Sequence, residues 1–114
     1  MGTTSKFYVK IDPKVKSEDL PQLSKELQDD FWEIFVTILS VDPYGCQGLG
    51  NHDLLRELQG CRALEFEEEI DGYVDVYRLV YLITDTPKNK TVEIVSIGLH
   101  DSAYDRAYQR IKRK

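Results

Sequence analysis

The stretch "DVYRLVYLITDTPKNKTVEIVSIGL", residues 75–99, decides the fold. It contains two runs rich in β-branched and aromatic residues, which favour strands. Between them lies "DTPKNK", residues 85–90, with the proline, asparagine and charges that are typical of a hairpin loop. Runs that are almost continuously apolar are typical of strands covered, wholly or in part, on both faces. The stretch therefore predicts a β-hairpin with packing partners on both sides.

Upstream of this hairpin, the sequence predicts one strand and two helices. Phe7, Val9 and Ile11 alternate with polar residues, which predicts a strand that ends at Pro13. Apolar residues at three- and four-residue spacings predict a long helix within residues 17–43, which begins near a cap at Ser17. A second, short helix is predicted in "NHDLLRELQG", residues 51–60. Joined by a glycine-rich loop, the two helices would form an αα-hairpin.

The remaining segments complete an α+β pattern. Residues from Ala63 to Phe66 predict a further strand, Gly72 marks a turn, and residues 101–114 predict a short terminal helix. Because helices and strands fall in separate runs, the class is α+β rather than α/β. We expect a single domain over residues 1–114, with the N-terminal strand, the αα-hairpin packed on an antiparallel sheet of about four strands, and the C-terminal helix.

Composition narrows the class of protein. No apolar run approaches the roughly 18 residues of a membrane span, and the N-terminus lacks the apolar core of a secretory signal. We therefore expect a cytoplasmic protein in which Cys46 and Cys61 are free thiols. The net charge of −5 disfavours binding to nucleic acid by phosphate neutralisation alone.

Charge is also unevenly distributed along the chain. Residues 65–75, "EFEEEIDGYVD", carry only acidic charges, whereas residues 104–114, "YDRAYQRIKRK", are predominantly basic. An acidic protein can therefore still present a basic edge. We predict that this terminal segment binds RNA or an acidic protein partner through Arg106, Arg110 and Lys112.

Most familiar catalytic motifs are missing from the sequence. It contains no CxxC or HExxH pattern, and the acidic segment is more typical of a solvated face than of a metal site. It also contains no P-loop and no GxGxxG fingerprint. We therefore predict no metal site and no cofactor.

The candidate chemistry lies around the hairpin, at Arg78, His100 and Tyr104. An arginine inside an apolar strand either crosses the sheet to a carboxylate such as Glu65 or Glu67, or points into a cleft. Held together, a guanidinium, an imidazole and a phenol suit phosphodiester chemistry. The arginine would stabilise charge on a non-bridging oxygen, and the other two would move protons between the 2′-hydroxyl and the leaving oxygen.

Several stretches resemble the RelE/ParE superfamily of bacterial toxins from type II toxin–antitoxin modules. "KELQDDFWEIFVTILSVDPYG" is similar to the long helix and "DP" turn of that family, and "LLRELQGCRALEFE" to the passage that follows it. "DVYRLVYLI" resembles the strand that carries an arginine, and "VEIVSIGLHDSAYDRA" resembles the terminal segment. The resemblance runs from Phe7 to about Arg110 and implies a RelE-like fold.

The resemblance also implies an activity, a partner and residue roles. In the RelE-like branch the activity is ribosome-dependent mRNA cleavage by attack of the 2′-oxygen on the adjacent phosphate, and a cognate antitoxin blocks the site. By position, Arg78 takes the place of the family's strand arginine. His100 takes the slot for a phosphate contact or proton donor, and Tyr104 the slot of the terminal tyrosine. Glu67 is a weaker candidate for the general base. Nuclease members of the family tend to offer lysine or arginine in the stretch "CRALEFEEEIDG", so the resemblance implies an RNA-binding role for Arg62, the basic residue of that stretch.

The acidic balance keeps other functions open. Docking on ribosomal RNA favours a basic protein, so the chain fits equally a non-catalytic toxin of the ParE type, which inhibits gyrase, or a regulatory protein that binds an antitoxin. A domain with an unrelated role is a third alternative. The sequence leaves open a homodimer through an exposed Trp32 or Tyr44.

Overall fold

A computed structural model describes residues 6–112 of the chain. Its centre is a five-stranded sheet in the order β1-β5-β4-β3-β2. The strands are β1 (Tyr8–Ile11), β2 (Asn51–Asp53), β3 (Cys61–Ile70), β4 (Tyr73–Thr86) and β5 (Asn89–Leu99). β1 runs parallel to β5, and the other neighbours are antiparallel, so the sheet is mixed and has one strand more than predicted.

The hairpin predicted from residues 75–99 forms the middle of this sheet. β4 and β5 are joined by a two-residue turn at residues 87–88, shorter than the predicted loop, and they pair from Thr86↔Asn89 to Tyr77↔Leu99. A bulge at Val80 and Tyr81 shifts the register once. Because both strands are covered on both faces, their near-continuous apolar sequence is explained.

A helical hairpin covers one face, as predicted, but its two arms differ from those expected. The predicted long helix is broken at Leu23, whose backbone is extended (φ −91°, ψ 156°). The first arm, residues 15–22, consists of a π turn at Val15–Asp19 and a 3₁₀ turn at Leu20–Gln22. The second arm, residues 25–41, is helical through Lys25–Asp30, Phe31–Phe35 and Val36–Val41. The Ser24 side chain caps the second arm by accepting a hydrogen bond from Leu27 N–H at 3.1 Å.

The prediction of a helix at residues 51–60 is wrong. Asn51–Asp53 form β2, which pairs with β3, and only the 3₁₀ turn Arg56–Leu58 follows. Leu54, Leu55 and Leu58 have the spacing of a helix, yet Leu55 is 76% exposed. The Leu54 N–H donates to the Cys61 carbonyl at 2.9 Å, because pairing with β3 satisfies more of this short segment's backbone than one helical turn would.

The C-terminal helix (His100–Lys112) covers the opposite face of the sheet. The sheet therefore has a hydrophobic core on each of its two faces. The larger core joins the helical hairpin to Leu64, Tyr77, Leu79, Tyr81 and Ile97, and the smaller joins the terminal helix, through Ala103 and Ala107, to Ala63, Val80 and Val95. Cys46 and Cys61 are both buried free thiols. Within residues 6–112, no helix is long and apolar enough to cross a membrane.

Candidate functional site

The candidate residues of β3 and β4 face the terminal helix. Residues two apart in a strand share a face. Val80 belongs to the core under the terminal helix, so Arg78 and Val76 lie on that face as well. Glu65 pairs with Arg78 and Glu67 pairs with Val76, which places both carboxylates on the same side. We call this side of the sheet the terminal-helix face.

Arg78 is half-buried in a hollow of about 330 Å³ on this face. Its Nη1 donates to the Tyr77 carbonyl at 2.9 Å, whereas its Nε is buried and has no hydrogen-bond partner. Among residues 6–112, no carboxylate forms an ion pair with this guanidinium. The hollow is lined by Gly50, Glu65, Phe66, Glu67, Val76 and Arg78. Arg78 therefore retains hydrogen-bonding capacity for an anion.

His52 contributes to this site, although its sequence context gave no signal. It lies on β2, and its Nδ1 is 2.5 Å from a carboxylate oxygen of Glu65. Because an ionised carboxylate only accepts hydrogen bonds, the ring nitrogen must be the donor. The predicted pairing of Arg78 with Glu65 is thus replaced by a pairing of His52 with Glu65.

Glu67, the predicted general base, lies at the solvent side of the same hollow. Its side chain is exposed and lines the hollow together with Arg78. No hydrogen bond holds its carboxylate in the described part of the chain. It is placed to accept a proton from a group bound at Arg78.

His100 and Tyr104 lie one turn apart at the start of the terminal helix. Their rings make an edge-to-face contact, with centroids 4.7 Å apart. The His100 Nδ1 lies 2.8 Å from the Asp101 carboxylate, which leaves Nε2 directed elsewhere on an exposed side chain. Tyr104 is half-buried and packs against the core under the terminal helix.

The three predicted catalytic side chains share a face but not a hollow. Arg78 pairs with Gly98, and His100 follows two residues later in the chain, so both lie at the same end of the sheet. Tyr104 lines a separate hollow of about 410 Å³, together with Glu57, Leu58, Asp105 and Tyr108. Within residues 6–112 no hydrogen bond or cation–π contact joins the Arg78 guanidinium to either ring. A substrate that contacts both Arg78 and Tyr104 would therefore have to extend from one hollow to the other.

Arg62, predicted to bind RNA, lies on the opposite face of the sheet. It is one residue from Ala63, so its side chain points away from the terminal helix. It donates to Asp53 at 2.6 Å, to the Tyr44 carbonyl at 3.0 Å and, by a short contact, to the Asn51 side chain. These bonds tie together β2, β3 and the loop at Tyr44, so Arg62 has a role inside the fold.

The structure also assigns Arg110 to the fold rather than to RNA. Its side chain is buried and donates to Asp19 at 2.8 Å, to Glu18 at 3.2 Å and to the Val95 carbonyl at 2.8 Å. Burial acts to lower the pKa of Arg110, but its hydrogen bonds with Asp19 and Glu18 prevail and raise it. A guanidinium enclosed in this way is not offered to solvent, so the contacts of Arg110 in the structure serve the fold.

Arg106 and Lys112 differ in their availability. Arg106 is partly buried and donates to Asp19 at 3.2 Å and to Gln22 at 3.0 Å, so it too joins the terminal helix to the first arm. Lys112 is exposed, with its ammonium 5.5 Å from the centre of the Tyr108 ring. Of the predicted RNA-binding residues, Lys112 alone stays open to solvent.

The hairpin beyond the hollow adds negative charge to this end of the molecule. Residues 66–76 of β3, β4 and their turn carry acidic side chains and no basic one. Ile70, Tyr73 and Val74 are each more than half exposed there. No cluster of potential metal ligands exists among residues 6–112. The site is therefore one arginine inside an acidic rim.

Comparison with known proteins identifies the fold. No protein-family model and no curated protein matches the sequence. Among solved structures, a free-state mutant of the toxin RelE from E. coli matches with a TM-score of 0.58 and 17% identity, over 95% of this chain and 97% of that one. The YoeB/ParE toxin from Agrobacterium tumefaciens matches with a TM-score of 0.59 and 12% identity, over 82% of this chain and 99% of that one. The architecture expected from the resemblance is confirmed, and the chain shares the fold of these two toxins.

Proposed function

We propose that this protein is the toxin of a type II toxin–antitoxin pair and arrests growth by cutting mRNA on the ribosome. The observation that carries the proposal is the Arg78 guanidinium. It has no carboxylate partner among residues 6–112 and lies in a hollow on the face where His100 and Tyr104 begin the terminal helix. The similarity in fold to RelE and to the YoeB/ParE toxin supports the toxin assignment.

The chemistry that suits these groups is attack of a ribose 2′-oxygen on the adjacent phosphorus. The 2′-hydroxyl gives up its proton, the bond from phosphorus to the 5′-oxygen breaks, and that oxygen takes a proton. The products are a 2′,3′-cyclic phosphate and a 5′-hydroxyl. Arg78 would bind the non-bridging oxygens and stabilise the charge that develops on them.

Protons would be moved by side chains at the rim of the site. The Asp101 carboxylate engages Nδ1 of His100, so Nε2 is the nitrogen available to hold or deliver a proton. Tyr104 would position the imidazole through the ring contact and offer a surface on which a base can stack. Glu67 is the alternative base for the 2′-hydroxyl.

A non-catalytic toxin is the second candidate, and the charge of the surface favours it. Glu67 and the acidic hairpin would repel a phosphate backbone, and Arg62 and Arg110 are used inside the fold. Such a protein would inhibit gyrase, as proposed from the ParE resemblance, or act only through its antitoxin. Both candidates require a cognate antitoxin as partner.

The first test is induced expression in bacteria without the antitoxin. We expect wild-type protein to arrest growth and Arg78→Ala to relieve the arrest, because the substrate's phosphate loses its contact with the Arg78 guanidinium. Lys88→Ala is the matched control, since it removes an exposed cation at the far turn of the same hairpin.

Growth curves and immunoblots of matched protein levels are the measurements. Harmless wild-type protein at high expression would contradict the toxin assignment. An arrest that persists in Arg78→Ala, His100→Ala and Tyr104→Phe would favour the non-catalytic toxin.

A further inference from the structure

His52, Glu65 and Arg78 form a diagonal row across three neighbouring strands. His52 of β2 pairs with Ala63 of β3, and Glu65 lies two residues further along the same face of β3. Glu65 in turn pairs with Arg78 of β4. The Glu65 N–H donates to the Gly50 carbonyl at 2.8 Å, which holds the end of β2 beside this row. The carboxylate is therefore flanked by two donors, one on each neighbouring strand.

Glu65 is bonded to only one of these two donors. Opposite charges that face each other across antiparallel strands normally attract. Here the carboxylate turns to the imidazole, at 2.5 Å, and makes no ion pair with the guanidinium opposite. The side chains of His52 and Glu65 are 43% and 39% exposed, so the pair is anchored at the surface while Arg78 remains recessed.

Whether Glu65 bonds to His52 or to Arg78 decides whether Arg78 can bind a ligand. A carboxylate paired with an arginine engages the N–H donors of the guanidinium that a phosphate would use. Arg78 instead keeps a buried Nε that has no hydrogen-bond partner in the described part of the chain, next to an open hollow. We propose that His52 is a positioning residue: it holds the Glu65 carboxylate away from Arg78 and so keeps the guanidinium free for the phosphate of the substrate.

This inference rests on the proposed function in one respect, that Arg78 is the group that holds phosphate. It adds a residue that never touches the substrate and acts through a competing carboxylate. Removing the imidazole would release Glu65, which would then compete with phosphate for Arg78. Removing the carboxylate as well would end the competition, so a second substitution should restore what the first one takes away.

Inorganic phosphate is the probe. In ¹⁵N-labelled protein the Arg78 Nε–H resonance is assigned by its absence in Arg78→Lys, and its shift on phosphate addition gives an affinity. We expect His52→Ala to weaken the affinity about fivefold, the size of effect that a partly exposed ion pair produces. His52→Ala with Glu65→Gln should return the affinity to the wild-type value or above it. His52→Lys, which keeps a donor for Glu65, should stay within about twofold of the wild type.

Three results would overturn the inference. The first is wild-type affinity in His52→Ala. The second is a phosphate affinity of the double variant, His52→Ala with Glu65→Gln, as weak as that of His52→Ala. It would mean that His52 acts on the fold and not through Glu65. The third is a wild-type Arg78 resonance that does not respond to phosphate.

RNA cleavage by the same variants separates the two claims. The expected phosphate pattern in a protein that cuts no RNA would refute the proposed function and leave the role of His52 intact. If the protein cuts RNA normally and His52→Ala leaves the phosphate affinity unchanged, the role of His52 is refuted and the proposed function stands.

Discussion

At the residue scale, the buried phenol of Tyr81 shows how this fold satisfies polar groups in its core. Tyr81 is fully buried, its O–H donates to the Pro43 carbonyl at 2.7 Å, and the Cys46 sulfur lies 3.3 Å away. Burial raises the pKa of Tyr81 far above its ordinary value, and burial also raises the pKa of the Cys46 thiol. The folded protein therefore holds each of these protons to a higher pH than the unfolded chain does.

This predicts a loss of stability at high pH with a defined sign. The unfolded chain loses the Tyr81 proton near pH 10, whereas the folded protein retains it, so the stabilisation is complete below about pH 10 and falls as the pH rises further. Free energies of unfolding in urea between pH 8 and 11 measure the decline. The free energy of unfolding of Tyr81→Phe should decline less steeply than that of the wild type. The control Tyr8→Phe, at an exposed position, should decline as steeply as the wild type. Equal slopes in all three would contradict the assignment.

The residues of the site were only partly predictable from sequence. Arg78 is conspicuous because a charge interrupts an apolar run, and β-strand parity then gives its face. His52 is not conspicuous, because its partner Glu65 is 13 residues away and only the β2–β3 register brings them together. The burial of Arg110 was not predictable, because a basic terminal segment looks solvent-exposed until Asp19, 91 residues away, is placed against it.

At the element scale, side chains complete the edge of β5 that β1 leaves open. β1 pairs with β5 only as far as Ile11↔Ile94. Beyond that point the Ile97 N–H donates to Asp19 at 3.0 Å and the Val95 carbonyl accepts from Arg110 at 2.8 Å. Asp19 and Arg110 also pair with each other, so the first arm of the helical hairpin is tied to the terminal helix across the sheet edge.

Asp19→Asn should therefore be strongly destabilising. The substitution leaves the buried Arg110 guanidinium without its main counter-charge, and breaking a buried ion pair costs about 3–5 kcal/mol. Urea denaturation measures the change. Asp29→Asn, which removes an exposed pair with Lys25 on the second arm, should change stability by less than about 0.5 kcal/mol. A loss below about 1 kcal/mol for Asp19→Asn would show that the network is not needed to hold the terminal helix.

The β4–β5 hairpin and the terminal helix were predicted correctly, whereas the short helix at residues 51–60 and an unbroken helix within residues 17–43 were not. The β4–β5 hairpin and the terminal helix are confirmed because each has enough apolar residues to fix its own type. Residues 51–60 failed because three leucines fit either a short helix or a loop. The break at Leu23 lies two residues after Pro21, which denies the helix a backbone donor, and Ser24 provides a new start.

At the scale of the whole molecule, fold and charge point to different properties. The α+β architecture is that of RelE-like toxins, yet the net charge is −5 and the hairpin beyond Arg78 is acidic. The composition gives the net charge, but only the structure shows that Arg62 and Arg110 bond to other groups within the fold. If the protein cuts RNA, its contact with the backbone must depend on Arg78 and a few exposed cations such as Lys112.

The chemistry of RNA ends after induction tests the central claim most directly. Primer extension and 5′-end sequencing of total RNA would be compared for wild type, Arg78→Ala and Lys88→Ala at equal protein levels. We predict new internal ends that carry a 5′-hydroxyl in wild type and Lys88→Ala, reduced at least a hundredfold in Arg78→Ala, as expected for loss of a group that stabilises transition-state charge. Growth arrest with no new RNA ends, or new ends that are unaffected by Arg78→Ala, would contradict the account.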